Sequence, residues 1–169
     1  REVGKWRKGR SKENQRQYGR ILSIIANSNP IIVFDNIIKL LTSYSNQINF
    51  FISSLSFCSP LSFDVISFVI CRLLSEPSRK KTDTNLGDVL TDQYKNLCDF
   101  IGNFYKKYHN VEINGILNYI INRFKNDTVG IEIYVLKEMI EKMVGIKCQD
   151  ILNEGNYYSD CGGLLSYFQ

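Results

Sequence analysis

The feature that most restricts the fold is an apolar spacing of three and four residues that recurs in one segment after another. In the segment 60–75, apolar residues fall at positions 65, 66, 69, 70, 73 and 74. This spacing places them on one side of an α-helix, whereas a half-buried strand would require strict alternation. Short stretches rich in Pro, Asn, Gly or Ser separate such segments. The pattern therefore predicts an all-α protein of about seven helices joined by short turns.

Local signals predict where these helices begin and end. Ser11 and Asn29 are suited to the N-cap, Pro30 suits a first helical position, and Pro77 cannot continue a helix. In 131–135, β-branched residues alternate, which also suits a strand, but we interpret the segment as helical because its apolar stripe continues to Met143. We expect helices over about 11–26, 30–44, 46–57, 60–76, 86–108, 112–125 and 129–144.

Length and composition favour one folded domain. The chain has 169 residues, of which 44% are hydrophobic and 12% aromatic, enough for a substantial core. Apolar runs stay well below the roughly 18 residues that a membrane span needs, and we predict no membrane association. Because the first residue is Arg1 rather than Met, we expect the chain to be a piece of a longer protein. We divide it into a basic lead-in over 1–12, a helical domain over 13–146 and an irregular glycine-containing tail over 147–169.

The cysteines do not form a metal-binding pattern. There are five of them and one histidine, and no two cysteines form a CxxC pair, so a zinc site would need unusual spacing. We interpret them as free thiols that pack as small apolar groups in a reducing compartment. Phosphate-binding motifs of the GxxxxGK[ST] and GxGxxG types are also missing from the sequence. We expect no cofactor, no metal and no small-molecule substrate.

Two sets of residues are candidates for catalysis. His109 follows a predicted helix end, where a cation interacts favourably with the helix dipole, and we favour that interpretation over a catalytic triad. Glu138 and Glu141 lie three residues apart and could act as an acid–base pair. Lys137 and Lys142 flank them, however, and Glu138 with Lys142 is a favourable i,i+4 pair, so a solvated charged face is the simpler interpretation. The sequence therefore predicts that the protein is not an enzyme.

Positive charge is concentrated at one end of the chain. The first twenty residues contain eight basic and two acidic groups, a net charge of +6, whereas the whole chain carries +4, so the remainder carries −2. This segment could contact nucleic acid through phosphates and aromatic stacking, or it could be a solvated arm. A smaller basic cluster lies in a predicted loop near residue 80. The candidate nucleic-acid contacts are Lys5, Trp6, Arg7, Lys8, Arg10, Lys12, Arg16, Arg20, Arg79, Lys80 and Lys81.

The last predicted helix, VLKEMIEKMVGIK over 135–147, separates an apolar face from a charged one. We expect Leu136, Met139, Ile140 and Met143 to be its inner face and to pack on the preceding helix. The opposite face carries the four charged residues Lys137, Glu138, Glu141 and Lys142. We consider that this charged face either docks a protein partner or contacts only water.

Several motifs occur in the order found in one protein family. They are RQYGR at 16–20, SNP at 28–30, VFD at 33–35, SFDVI at 62–66, GILNY at 115–119, LKE at 136–138 and the glycine pair at 162–163. Together with 97–108, this collinear series resembles the central region of the large second subunit of the THO complex, the scaffold of a nuclear transcription–export (TREX) assembly. The resemblance covers most of residues 14–165.

The resemblance implies a non-enzymatic helical scaffold, a stack of antiparallel helix pairs of the HEAT or MIF4G type. It implies a nuclear location and a role in mRNA packaging and export. The expected partners are other THO subunits and a DEAD-box RNA helicase, with RNA contacted through the complex. The alternative that we keep open is a helical module that binds nucleic acid through its basic N-terminal arm.

Overall fold

The computed structural model describes residues 12–76, 82–83, 89–126 and 131–145. Seven α-helices account for most of these ranges, in agreement with the sequence prediction: α1 (Lys12–Ser28), α2 (Pro30–Ser43), α3 (Ile48–Ser54), α4 (Pro60–Ser75), α5 (Asp92–Lys107), α6 (Asn114–Asn126) and α7 (Ile133–Val144). Two 3₁₀ turns, Ser45–Gln47 and Leu55–Phe57, flank α3. A two-residue antiparallel pair, β1 (Thr82–Asp83) with β2 (Val89–Leu90), precedes α5.

The helices form two layers in which each helix packs on the one two places further along the chain. One layer is formed by α1, α3, α5 and α7, and the other by α2, α4 and α6. The layers meet mainly where α2 packs on α5. This alternation is the arrangement of a helical solenoid, in which successive pairs stack on one another. The predicted all-α, solenoid-like fold is therefore confirmed.

Helix α5 is the centre of the core. It packs on helices of both layers, and its buried side chains include several aromatic rings. They are Tyr94, Leu97, Cys98, Phe100, Ile101, Phe104 and Tyr105. Its first turn is capped by Thr91, whose hydroxyl accepts a hydrogen bond from the Tyr94 amide. Two side chains near its ends also reach other helices. Asn96 Nδ2 donates to the Thr42 carbonyl at the end of α2 (2.8 Å), and Tyr108 Oη donates to the Ile52 carbonyl of α3 (2.6 Å).

Several predicted boundaries differ from the structure. The helix predicted from residue 86 begins at Asp92, because Val89 and Leu90 pair as a strand instead. Pro30 occupies the first position of α2 as predicted, but the side chain of Asn29 makes no capping hydrogen bond, which corrects that part of the prediction. The predicted cap at Ser11 and the tail over 147–169 lie outside the described residues.

Some predicted buried positions are wrong. Ile31 and Phe124 follow the apolar spacing of their helices but are exposed, and on α7 the exposed fractions of Ile140 and Met143 are 49% and 42%. Met139 is buried as predicted and Leu136 is partly buried against the core, while Val135 is the other buried residue of this face. This helix packs on α5, two places back in its own layer, rather than chiefly on the preceding helix. Within the described ranges, no helix is both long and apolar enough to span a membrane.

Candidate protein-docking groove

A polar groove of about 440 Å³ lies where the C-terminal end of α5 meets α7. It contains all four residues of the charged face that the sequence singled out. Its walls are formed by Lys106, Tyr134, Lys137, Glu138, Glu141, Lys142 and Gly145. The charged face of α7 is therefore partly enclosed by another helix, and is not simply a solvated surface.

The two helices come unusually close beside this groove because α5 carries a glycine there. A Cβ atom on Gly102 would lie 2.8 Å from Lys142 Cγ and 2.9 Å from the Glu138 carbonyl oxygen. Contacts this short are strongly repulsive, so a larger residue would push the helices apart. A glycine inside a helix costs stability, which indicates a packing reason for its presence. Gly102 is therefore a sequence signal of a close helix approach, although it does not show which helix approaches.

Ion pairs position two of the three lysines that line the groove. Lys142 Nζ lies 2.7 Å from Asp99 Oδ1 and so joins α7 to α5, while Lys137 Nζ lies 3.6 Å from Glu141 Oε1. Asp99 is thus the nearest carboxylate to Lys142, and the negative charge of Glu138, its i,i+4 neighbour, also interacts favourably with the lysine. The hydrogen bond from Lys142 to Asp99 raises the pKa of the lysine above its usual value. The sequence pattern did not point to Asp99, since the residue belongs to a helix more than thirty positions earlier.

Tyr134 forms the aromatic part of the groove. Lys137 Nζ lies 5.6 Å from its ring centroid, within the range of a cation–π contact. Burial and then the negative charge of Glu138 raise the pKa of the Tyr134 hydroxyl to about 12. Like any tyrosine, it is protonated at neutral pH and can donate a hydrogen bond. Beyond these groups, Gly145 ends α7 with a φ of 84°, a left-handed conformation that suits glycine.

The groove is polar. It offers ammonium, carboxylate and phenol groups along two helix edges. The described residues contain no group of three His, Cys, Asp or Glu side chains able to hold a metal ion. His109 is exposed just beyond the end of α5. Cys58, Cys71 and Cys98 are free thiols, and burial raises the pKa of each, in agreement with the interpretation as apolar packing groups.

Most of the candidate nucleic-acid contacts lie outside the described residues. These are Lys5, Trp6, Arg7, Lys8, Arg10, Arg79, Lys80 and Lys81. Lys12 begins α1, and its side chain is not described. Arg16 and Arg20 are exposed on α1. Tyr18, the aromatic residue between Arg16 and Arg20, is half-buried, and its ring packs edge-on against Phe50 with 5.9 Å between centroids.

By fold, the chain is an all-α, solenoid-like module with a charged groove at the α5–α7 seam. Residues 22–94 match the sequence model of the Thoc2 family, described as a transcription- and export-related complex subunit. The chain is 29% identical over 144 residues to THO complex subunit 2 of Arabidopsis thaliana. It is 30% identical over 156 residues to the proteins of the same name from Homo sapiens and Mus musculus.

These alignments cover most of this chain but little of its relatives. They take up 85% of the chain for the Arabidopsis protein and 90% for the two mammalian proteins. The same alignments account for only 8% and 9% of the lengths of those relatives. The matches confirm the family resemblance inferred from the sequence motifs: the chain is related to THO complex subunit 2, and corresponds to a short segment of it.

Proposed function

We propose that this chain is a non-enzymatic docking module of a nuclear THO-type complex that supports mRNA packaging and export. The observation that carries the proposal is the similarity to THO complex subunit 2 along 90% of the chain. The relatives are named as subunits of a complex, so protein–protein contact is the function their names imply. The solenoid-like fold supports it, because stacked helices present extended surfaces to partners.

The groove at the α5–α7 seam is the surface that we expect a partner to contact. Its charged groups of both signs favour a protein surface over nucleic acid, which would select a uniformly positive site. We propose other THO subunits and a DEAD-box RNA helicase as the partners. RNA would then be contacted through the assembled complex.

The proposal is tested by affinity capture. The tagged 169-residue chain would be incubated with nuclear extract of the source organism, with and without nuclease, and captured proteins identified by mass spectrometry. We expect THO subunits or the helicase to be recovered in both conditions. Recovery of only nuclease-sensitive, general RNA-binding proteins would contradict the docking function.

A matched pair of variants tests the groove itself. Lys106 and Lys125 are both exposed and both lie in the last turn of a helix, but only Lys106 lines the groove. Lys106→Glu and Lys125→Glu therefore lose the same favourable interaction with a helix dipole. We expect only Lys106→Glu to reduce capture of the complex. Equal capture by both variants and the unsubstituted chain would exclude the groove as the docking surface.

The alternative function is nucleic-acid binding by the basic N-terminal segment, and the observation favouring it is the net charge of +6 on residues 1–20. Phosphate contacts release counterions, so such binding should weaken steeply as salt increases. We expect deletion of residues 1–12 to abolish it. RNA binding that survives the deletion would show that another part of the chain is responsible.

A further inference from the structure

Four isoleucines are exposed at the junction of α1 and α2. The exposed fractions of Ile24 and Ile32 are 69% and 63%, and those of Ile25 and Ile31 are 40% and 43%. All four lie within five residues of Asn29, the single residue between the two helices. At 1.5 Å per residue, this places them within about 8 Å of the junction along either helix axis. Clustered exposed apolar side chains of this kind mark interaction surfaces more often than isolated ones do.

Two arginines lie on the same face of α1 as Ile24. Arg16, Arg20 and Ile24 are spaced by four residues, so they lie along one face of the helix, and all three are exposed. The opposite face of α1 is buried through Leu22 and Ala26. The exposed face therefore carries positive charge at one end and aliphatic surface at the other.

This combination favours an acidic amphipathic protein segment over nucleic acid. Carboxylates would pair with the two guanidinium groups, which bind them in a fixed two-pronged geometry. The isoleucines would be covered by apolar side chains on the same segment. Nucleic acid offers no equivalent aliphatic surface, and single strands are bound through stacking on aromatic rings. Tyr18, the aromatic residue that lies between the two arginines in the sequence, is already packed against Phe50.

We propose that the surface formed by Arg16, Arg20, Ile24, Ile25, Ile31 and Ile32 docks an acidic amphipathic helix of a partner protein. The proposal deepens the docking function and rests on it, because it gives the chemistry of one partner segment. It also places that segment at the α1–α2 junction, whereas the groove proposed above lies at the α5–α7 seam.

A binding assay with purified components tests this proposal. The probe is a fluorescent synthetic helix of about five turns, with Leu at i, i+3, i+4 and i+7 spacing and Glu on the flanking positions. Its control replaces each Glu with Gln, and a single-stranded oligouridylate is the second control. Fluorescence anisotropy with the 169-residue chain should show the Glu helix binding more tightly than the Gln helix, with a difference that shrinks as salt increases.

Charge and apolar variants then locate the site. We expect Arg16→Glu/Arg20→Glu and Ile24→Ser/Ile32→Ser each to weaken binding of the Glu helix by about tenfold or more. Lys107→Glu/Lys125→Glu changes the net charge by the same amount at positions outside both proposed surfaces, and Ile121→Ser/Ile133→Ser removes exposed isoleucines elsewhere. These two controls should leave the affinity unchanged. All substituted residues are exposed, and a urea unfolding curve for each variant checks that it folds.

Three outcomes would overturn the proposal. The first is tight binding of oligouridylate that depends on the arginines but not on the isoleucines, which would assign the surface to nucleic acid. The second is equal binding of the Glu and Gln helices. The third is self-association of the chain that Ile24→Ser/Ile32→Ser abolishes, which would assign the surface to a second copy. If the probe fails while Lys106→Glu still reduces capture of THO subunits, the docking function stands and only this inference fails.

Discussion

Helices α5 and α7 belong to the same layer and have similar apolar stripes, yet their environments differ. Helix α5 packs against helices on both sides within its layer, and also against α2 across the layers, so its stripe is buried throughout. Helix α7 packs mainly on α5, and of its stripe only Val135 and Met139 are buried. A helical stripe therefore shows which face is apolar, but the number of neighbouring helices decides how much of that face is covered.

The largest effect should come from α5, which packs on helices of both layers. Phe104 of α5 is fully buried and contacts the rings of Phe63, Phe100, Tyr105 and Tyr108. We expect Phe104→Ala to lower the free energy of unfolding by about 3–5 kcal/mol, through lost burial and the cavity left behind. Urea denaturation followed by circular dichroism measures this change. A loss below about 1 kcal/mol would show that α5 is not the centre of the core.

Two methionines on α7 provide the next test, within a single helix. Met139 is 3% exposed, whereas Met143 is 42% exposed. We expect Met139→Ala to cost about 2–5 kcal/mol and Met143→Ala to stay within about 0.5 kcal/mol. The same denaturation experiment measures both. Equal losses would mean that the outer face of α7 is also covered, contrary to the comparison with α5.

The glycine at the seam between the two helices should give a smaller effect. Since a Cβ atom at Gly102 would collide with the backbone of α7, we expect Gly102→Ala to lower the free energy of unfolding by about 1–3 kcal/mol. Gly115 is the matched control, because it also lies in a helix and a Cβ atom there would have nothing within 4 Å. We expect Gly115→Ala to be neutral or to stabilise by up to about 1 kcal/mol. Destabilisation by both substitutions alike would contradict a specific close approach at Gly102.

The smallest effect should come from the ion pair that joins the helices. The side chains of Lys142 and Asp99 are each 35% exposed, so we expect Lys142→Ala to cost only about 0.2–1 kcal/mol, and less at high salt. Because the hydrogen bond to Asp99 raises the pKa of Lys142, this stabilisation is complete below the ordinary lysine pKa. It is lost as the pH rises through the raised pKa. Urea denaturation at low and high salt, and at neutral and strongly alkaline pH, measures these dependences. A cost of Lys142→Ala that is larger at high salt would contradict the ion pair with Asp99.

The sequence was sufficient to predict the helices and most of the core. Apolar spacing identified seven segments, and positions 66, 69, 70, 73 and 74 of α4 are buried as expected. Boundaries were less accurate where a tertiary feature competed with the helix. Val89 and Leu90 suit the apolar stripe of α5, but their backbone pairs with Thr82 and Asp83, so the helix begins only at Asp92.

The candidate site was predicted only in part, for a different physical reason. The charged residues on α7 were visible as a local pattern, whereas Lys106, Asp99 and the close approach at Gly102 come from α5. Their proximity depends on the two-layer packing, in which α5 and α7 are neighbours although α6 lies between them in the chain. A local pattern cannot show such a pairing. The exposed isoleucines at the α1–α2 junction were missed likewise, because their exposure depends on which helices lie nearby.

The hydrogen bonds from α5 to the ends of α2 and α3 have a consequence for how the chain folds during its synthesis. The carbonyl oxygens of Thr42 and Ile52 accept hydrogen bonds from Asn96 and Tyr108, which lie 54 and 56 positions later in the chain. These bonds can form only after the later residues have been synthesised. At a synthesis rate of about 5–20 residues per second, the donor for Thr42 follows it by about 3–11 seconds. During that interval the N-terminal helices emerge from the ribosome without the helix that completes their core. This is the period in which they depend most on protection from aggregation.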